Sequence, residues 1–395
     1  MAKFLPLFLL VLVVVAIVLE GDYVLTLVYL FIAALIMSKW WGSRVMKGID
    51  ITRSFNQWAF LGEKVTVNLN IKNRSILPIP WLQIRESLPV GLHTKGPFQD
   101  VVYLTPKGDL DFSYQLDCVK RGLYPVGPLH LFSGDVLGVS KNKTHVLTPE
   151  NLTVYPKIIP LVKIEFPSQS PMGTLPSTQP IFEDPTRVRG KRDYVEGDSL
   201  RKIDWKATAS SGRLQVKLYE PSIALETIIF LNLNADEYDL RTRFYDTELA
   251  ITVAASMANW ISSARQAVGL ATNGYDPYMD TTRSPLLPAR RGRGHLLRLL
   301  EILARIQMVE STPLAQVLRQ ELVNLPWGAT LILVSGHVDD DLFDSLFQAR
   351  RAGLKAFLVQ CGQTKDIRLL EQRSRQFGIP MVQFLREQDL DIWRC

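Results

Sequence analysis

Hydrophobic and polar positions follow three successive rhythms along the chain. In the first, Phe4–Leu19 and Tyr23–Ser38 carry no charge and are interrupted only by Glu20-Gly21-Asp22. A single helix over 4–38 would run to roughly 50 Å, against a bilayer core of about 30 Å. The pattern therefore predicts two short helices joined by an acidic turn, with Trp40, Trp41 and flanking polar residues at the membrane interface. A cleaved signal peptide ending near Leu19 is the alternative reading. No Ala-x-Ala site marks such a cut, and Tyr23–Ser38 would then remain as a stop-transfer span.

In the second rhythm, over 48–155, the period is two. Val65-Thr-Val-Asn-Leu-Asn-Ile71 and Phe112-Ser-Tyr-Gln-Leu116 alternate, and Pro78-Ile-Pro80, Gly96-Pro97 and Gly127-Pro128 separate such runs. Short alternating strands without intervening helix predict an antiparallel β-sandwich. Residues 156–188 hold many prolines and few periodic apolar positions, the pattern of an extended linker. The third rhythm begins after Glu220. Apolar strands at Ile228–Leu233, Ala267–Ala271, Thr330–Val334 and Ala356–Val359 alternate with helices at Thr247–Ala264, His295–Ile306, Asp339–Ala352 and Lys365–Phe377. Continuous apolar strands each followed by an amphipathic helix predict a doubly wound α/β domain with a parallel sheet covered on both faces. The expected organisation is thus a membrane anchor (1–47), a sandwich (48–155), a linker (156–188) and an α/β region (189–395).

Charge changes this picture in two places. Lys3 lies on one side of the apolar hairpin, and Lys39, Arg44 and Lys47 on the other, while the turn is acidic. The positive-inside rule puts both ends, and the bulk of the chain, in the cytoplasm. The formal net charge of +6 is concentrated between Arg187 and Lys217, where nine Lys/Arg face four acids. A pI near 9.1 without a zinc finger, helix-turn-helix or RNA-binding aromatic signature points to a basic face for protein or anionic lipid, and no nucleic-acid partner is expected. Cys118, Cys361 and Cys395 are scattered and show no metal or disulfide spacing.

The densest polar stretch combines Arg192-Asp193-Tyr194, Gly197-Asp198, Arg201, Ile203-Asp204-Trp205 and Thr208-Ala209. It resembles the signature of the bacterial domain-of-unknown-function family fifty-eight. Arg121–Pro128 with Gly134-Asp135 and Leu137-Gly138 resembles that family's upstream segment, and the region after Glu220 resembles its von Willebrand factor A-like domain. The resemblance implies a membrane-anchored protein associated with a MoxR-type AAA+ ATPase, with no established reaction.

Two readings of the signature stand. In one, Arg192, Asp198, Arg201 and Asp204 tie the linker to the α/β domain, and Trp205 is a packed anchor whose truncation costs about 3–5 kcal/mol. In the other, the segment is a docking surface, because Arg and Trp are enriched at interface hot spots. In the α/β region, the resemblance implies a cation site with a D-x-S-x-S loop after the first strand. Here that spacing reads Asn232-Leu-Asn234-Ala-Asp236, and the later loop holds Ser335-Gly336. Neutral amides suit a hard cation poorly, so a degenerate site without bound metal is expected, although Asp339, Asp340 and Asp341 follow nearby. His337 falls in the same crevice, and Arg290-Arg-Gly-Arg293 with Arg298 opens a helix. No phosphate loop, H-E-x-x-H or G-x-S-x-G occurs. The expectation is a non-enzymatic, cofactor-free interaction or scaffold protein, contacting lipid through residues 4–41. The alternative is a hydrolase or transferase built on the signature Asp and Arg residues.

Overall fold

The computed structural model describes residue 11 and residues 22–93, 98–134, 141–162, 174–176, 183–224, 226–278, 286–364 and 367–393. The chain divides into two units, Met1–Tyr155 and Pro156–Cys395.

The first predicted short helix, Phe4–Leu19, lies outside the described residues except for Val11. The second becomes α1 (Asp22–Met46), 25 residues long, which continues past the expected end at Ser38. No proline interrupts Lys39–Met46, and Arg44 in the last turn complements the negative end of the helix dipole. Among the described residues no helix is long and apolar enough to cross a membrane. Trp41, expected at a lipid interface, instead packs against the sandwich core and donates its indole N–H to the Pro78 carbonyl at 3.2 Å. Tyr23, Leu27, Leu30, Ile36 and Met37 remain exposed.

Eleven strands follow: β1 (Ile49–Ser54), β2 (Trp58–Phe60), β3 (Lys64–Asn73), β4 (Ile79–Glu86), β5 (Leu92–His93), β6 (Phe98–Leu104), β7 (Asp109–Cys118), β8 (Gly122–Val126), β9 (Leu129–Gly134), β10 (Lys141–Leu147) and β11 (Glu150–Tyr155). They form sheets ordered β1-β3-β7-β5, β10-β9-β4-β6 and β2-β11-β8. The alternation of β3 explains the packing. Leu69 and Ile71 join Ile79, Leu82, Ile84 and Leu131 in one core, while Val65 and Val67 join Ala59, Val126, Leu152 and Val154 in another. One face of the first sheet thus covers both of the others. The pairing is not wholly antiparallel as the pattern predicts, because β2 runs parallel to β11, with Thr153 opposite Trp58. Most of the sandwich intervenes between these two strands, which gives the long crossover that a parallel pair requires.

Arg53 crosses this interior with a fully buried guanidinium. It pairs with the buried Glu86 at 2.8 Å and with Glu150 at 3.1 Å, and donates to the Thr148 carbonyl at 2.7 Å. Tyr114 donates to the other oxygen of Glu86. Burial first, then the Glu86 charge, pushes the Tyr114 hydroxyl far above its ordinary range, so it stays a donor.

In the second unit, Ile159 and Leu161 are buried, and the Ile159 N–H donates to Ser256 at 2.9 Å. The expected linker ends sooner than its prolines suggest. β12 (Thr174–Pro176), β13 (Glu183–Asp193) and β14 (Gln215–Ala224) form a sheet ordered β12-β14-β13. The β13–β14 register slips between Asp184 and Val188, the interval that holds Pro185. A proline without an N–H is tolerated in an edge strand at such an irregularity. The signature occupies the long tip of this hairpin, which includes α2 (Trp205–Ser211).

The remainder runs β15 (Glu226–Leu231), α3 (Arg243–Ser263), β16 (Ala267–Thr272), β17 (Leu286–Arg290), α4 (Arg293–Arg305), α5 (Leu314–Leu322), β18 (Thr330–Ser335), α6 (Asp340–Arg351), β19 (Lys355–Cys361), α7 (Ile367–Gln376) and β20 (Met381–Phe384). The sheet order is β17-β16-β15-β18-β19-β20. All pairs are parallel except β16–β17. Numbered in chain order this is 3-2-1-4-5-6, a doubly wound arrangement whose switch point lies between β15 and β18. Ile228 and Phe230 pack with residues of α5 and α6 on one face. α3 runs against β15, β16, β18 and β19 and supplies none of that cluster, so it covers the other face. Its buried Ala250, Ala254, Ala255 and Ala258 permit a close approach to four strands.

Candidate functional site

The signature folds as a self-contained cap on the β13–β14 hairpin. Asp204 is the N-cap of α2, and one of its oxygens accepts from the N–H groups of Lys206 and Ala207, each at 3.1 Å. The other meets Lys191 at 2.9 Å. Asp198 is held bidentately by Arg192 at 2.6 and 2.7 Å and accepts the Val195 N–H at 3.0 Å. The hydrogen bonds from Arg192 to Asp198 and from Lys191 to Asp204 keep both carboxyls below their ordinary range. Asp193 accepts from Gln215, the Thr208 hydroxyl accepts the Gln215 N–H at 3.0 Å, and Tyr194 donates its N–H to the Leu214 carbonyl at 2.9 Å. Gly197 has φ +107°, a turn conformation that suits residues without a Cβ.

The signature residues are therefore brought together, and their bonds are spent on one another. Among the described residues, the partners of Asp198 and Asp204 lie within the hairpin itself, in contrast to the tie to the α/β domain expected from sequence. Nor is Trp205 a packed anchor. It is 69% exposed, as is Leu200 at 67%. Asp204 begins a helix where an extended segment was expected, so the carboxylate tucks in to cap and the indole is left outside. Arg201 is exposed and makes no ion pair or hydrogen bond among the described residues.

The second site lies at the β15–β18 switch point. Asn232, Asn234 and Ser335 are all buried. The Asn232 carbonyl oxygen accepts the Asn234 N–H at 3.1 Å and the Asn273 amide at 3.0 Å. The Asn234 oxygen accepts from Asp236 N–H at 3.3 Å and Ser311 N–H at 3.1 Å. Backbone N–H groups can only donate, so both amides must turn their NH2 groups the other way. Those groups meet Glu237, from Asn232 at 2.6 Å and from Asn234 at 3.0 Å, and Asn232 also reaches Ser335 at 2.9 Å. A divalent cation needs oxygens aimed at it, and these residues aim hydrogens inward. They do not fit the metal that the family resemblance implies.

Neighbouring groups close the crevice further. Tyr238 is buried, donates to the Asn232 carbonyl at 2.8 Å, and lies so close to Gly336 that a Cβ there would sit 2.0 Å from the ring. Asp236, counted as a candidate anchor, is exposed. The three following acids are engaged elsewhere. Asp339 caps α6 through the Leu342 N–H at 2.8 Å, Asp340 pairs with Arg373, and Asp341 pairs with Arg319 at 2.5 Å. His337 is exposed, and its N–H donates to Ser335 at 3.2 Å. Among the described residues no three His, Cys, Asp or Glu are grouped to hold a metal. Sequence reasoning missed Glu237, Tyr238 and Asn273. The spacing Asn234-x-x-Glu237 was the available signal, because an N-cap residue followed three positions later by Glu is a reciprocal capping pattern.

A cavity of about 400 Å³ lined by Lys157, Ile159, Tyr245 and Arg386–Gln388 with Asp391 contains no signature residue. The same holds for one of about 380 Å³ between Glu371 and Met381.

Known proteins match this chain in part. Residues 190–369 match the family described as "Protein of unknown function DUF58", which spans the signature cap and most of the doubly wound sheet. The chain is 22% identical over 288 residues to the "Uncharacterized protein YeaD" of Bacillus subtilis (strain 168), covering 71% of this chain and 68% of that protein. Among solved structures, similarity extends to an aerotolerance-related membrane protein from Bacteroides fragilis NCTC 9343, with 8% identity, 43% of this chain, 96% of that chain and a TM-score of 0.30. The CARDB domain of the PF1109 protein from Pyrococcus furiosus overlaps 27% of this chain and 86% of its own, with 13% identity and a TM-score of 0.21. These partial overlaps carry no argument about activity.

Proposed function

We propose that this protein is a membrane-anchored, non-enzymatic interaction protein that docks a MoxR-type AAA+ ATPase and acts with it in assembling or remodelling envelope complexes. The bulk of the chain faces the cytoplasm, residues 4–41 contact lipid, and the α/β domain is a von Willebrand A-like domain with a degenerate cation site. The observation that carries the reading is the contrast within the signature cap. Asp198 and Asp204 are saturated by Lys191, Arg192 and backbone, while Trp205, Leu200 and Arg201 are left outside. A catalytic carboxylate must be able to reach substrate and exchange a proton, and a docking surface needs exposed Trp and Arg on a rigid base. The contrast favours docking over the hydrolase or transferase reading. Supporting the domain assignment are the strand order, with its single antiparallel edge, and the cation-loop spacing at Asn232, Asn234 and Asp236. The exposed apolar side chains of α1 support the anchor.

The test is co-purification of the tagged full chain from detergent-solubilised membranes, with and without ATP. The reading expects the ATPase among the captured proteins, with recovery that depends on nucleotide. Its absence under both conditions would contradict the reading.

A further inference from the structure

We propose that the turn between β3 and β4, Arg74–Pro78, is a second lipid contact of this protein: Ile76 enters the headgroup layer of the bilayer that holds α1, with Arg44, Lys47 and Lys107 on anionic lipid phosphates. The inference rests on the membrane-anchor reading above and is independent of any ATPase partnership. The turn is clamped to the end of α1 on two sides. Trp41 donates its indole N–H to the Pro78 carbonyl at 3.2 Å, and the Arg74 N–H donates to the Gly48 carbonyl at 2.7 Å. A Cβ on Gly48 would sit 3.0 Å from that of Ser75, so the two segments are in close contact. The turn therefore runs back along the chain that leaves α1, from the level of Gly48 towards the level of Trp41. Trp41 lies beyond Ser38, the end of the uncharged run, by about 5 Å along the helix axis. The polar layer on each side of a bilayer core is roughly 5–8 Å deep, so Trp41 falls within it. Ile76 follows within about 7 Å of extended chain from Pro78.

Local bonds hold this apolar side chain outside. The buried Asn73 donates its amide to the Leu77 and Thr105 carbonyls, each at 2.9 Å, and its oxygen accepts the Ser75 N–H at 3.0 Å. The Ser75 hydroxyl accepts the Leu77 N–H at 3.0 Å. Ile76 stands at the crest of this network, 76% exposed. Single exposed apolar residues are ordinary on protein surfaces, but the surroundings of Ile76 are not. Trp40 is exposed beside Trp41, and Leu27, Leu30, Ile36 and Met37 continue the exposed apolar surface of α1. The charges nearby are basic. Arg44 and Lys47 are exposed, as is Lys107, whose N–H donates to the Ser75 carbonyl at 3.1 Å. Acids at this end are offset within the protein, since Asp50 pairs with Arg74 and Asp109 stands opposite Lys72 in the β3–β7 register. An aliphatic tip flanked by cations suits a leaflet that carries anionic lipid.

The test places one environment-sensitive fluorophore on a cysteine of the full chain, reconstituted into vesicles of phosphatidylcholine and phosphatidylglycerol with nitroxide-bearing lipid as quencher. Cys395→Ser removes the terminal thiol, and Cys118 and Cys361 are buried. Ile76→Cys is compared with Tyr29→Cys, on the exposed surface of α1, and with Val90→Cys, which is 99% exposed. Val90 precedes β5, which pairs with the Cys118 end of β7, so it lies about 30 Å of strand away from the turn. The label at 76 should emit to the blue of the label at 90 and lose most of its emission to headgroup nitroxide, while the label at 90 keeps its own. Vesicles of phosphatidylcholine alone, or Lys107→Glu, should reduce that loss. Equal quenching at 76 and 90, or quenching at 76 that ignores anionic lipid, would overturn the proposal. If acyl-chain nitroxide quenches the label at 29 while 76 stays as wet as 90, the anchor stands and the second contact fails. No quenching at 29 would remove the anchor reading and the proposal with it.

Discussion

Trp205 and Asp204 are adjacent, yet their side chains do opposite work. The Asp204 carboxylate caps α2 and meets Lys191, so Asp204→Ala should lower the stability of the cap measurably through the lost N-cap alone. Trp205 is mostly in solvent, so Trp205→Ala should stay within about 0.5 kcal/mol of wild type. Chemical denaturation of both variants checks the contrast, and a large loss in Trp205→Ala would return the indole to the core. Arg53 gives a third residue-scale expectation. Arg53→Ala strands Glu86 in the sandwich interior and should cost about 3–5 kcal/mol. A loss under about 1 kcal/mol would mean that water reaches Glu86. At the switch point, inward-facing amides predict that calorimetry with magnesium or manganese shows no tight binding event. A one-site isotherm abolished by Asp236→Ala would contradict the donor geometry.

Elements differed in how far the chain announced them. Strands β15, β16, β18 and β19 are legible because each is a continuous apolar run buried on both faces. β17 is not, since its pattern of exposed and half-buried residues reads as loop, and only pairing with β16 makes it a strand. β13 is hidden by Pro185 and by a polar composition that suits an edge. The Asn232-x-Asn234 loop was legible as a departure from a cation motif, but the hydrogen-bond directions that install Glu237 depend on backbone N–H groups from as far away as Ser311. α3 carries a pH-sensitive element of its own. Burial raises the Asp246 carboxyl above its ordinary value, against a hydrogen bond from Thr242 that lowers it. The folded state therefore holds that proton more tightly than the unfolded chain. The resulting stability is present at low pH and is lost as pH rises from the unfolded pKa through the folded one. Asp246→Asn should remove this dependence and melt higher than wild type at neutral pH. A variant that melts lower at pH 7 and keeps the acid-side slope would contradict it.

At the scale of the whole molecule, two halves with different construction share one chain. The first unit buries its apolar residues between sheets around α1's Trp41 contact, and the second wraps helices about a parallel sheet with the signature cap on its own hairpin. The charge pattern around the apolar N-terminal segments predicts that a reporter fused after Cys395 is active only if it functions in the cytoplasm. Activity of a periplasm-dependent reporter there would overturn the topology. The central claim is that the exposed face of the cap captures the ATPase. The direct test is titration of the detergent-solubilised full chain with the purified MoxR-type ATPase, comparing wild type with Trp205→Ala and Arg201→Ala. Both variants should melt as wild type does. Trp205→Ala should weaken binding by about 2 kcal/mol, roughly 30-fold, and Arg201→Ala by about 1–2 kcal/mol. Wild-type affinity in two normally folded variants would contradict docking through this face.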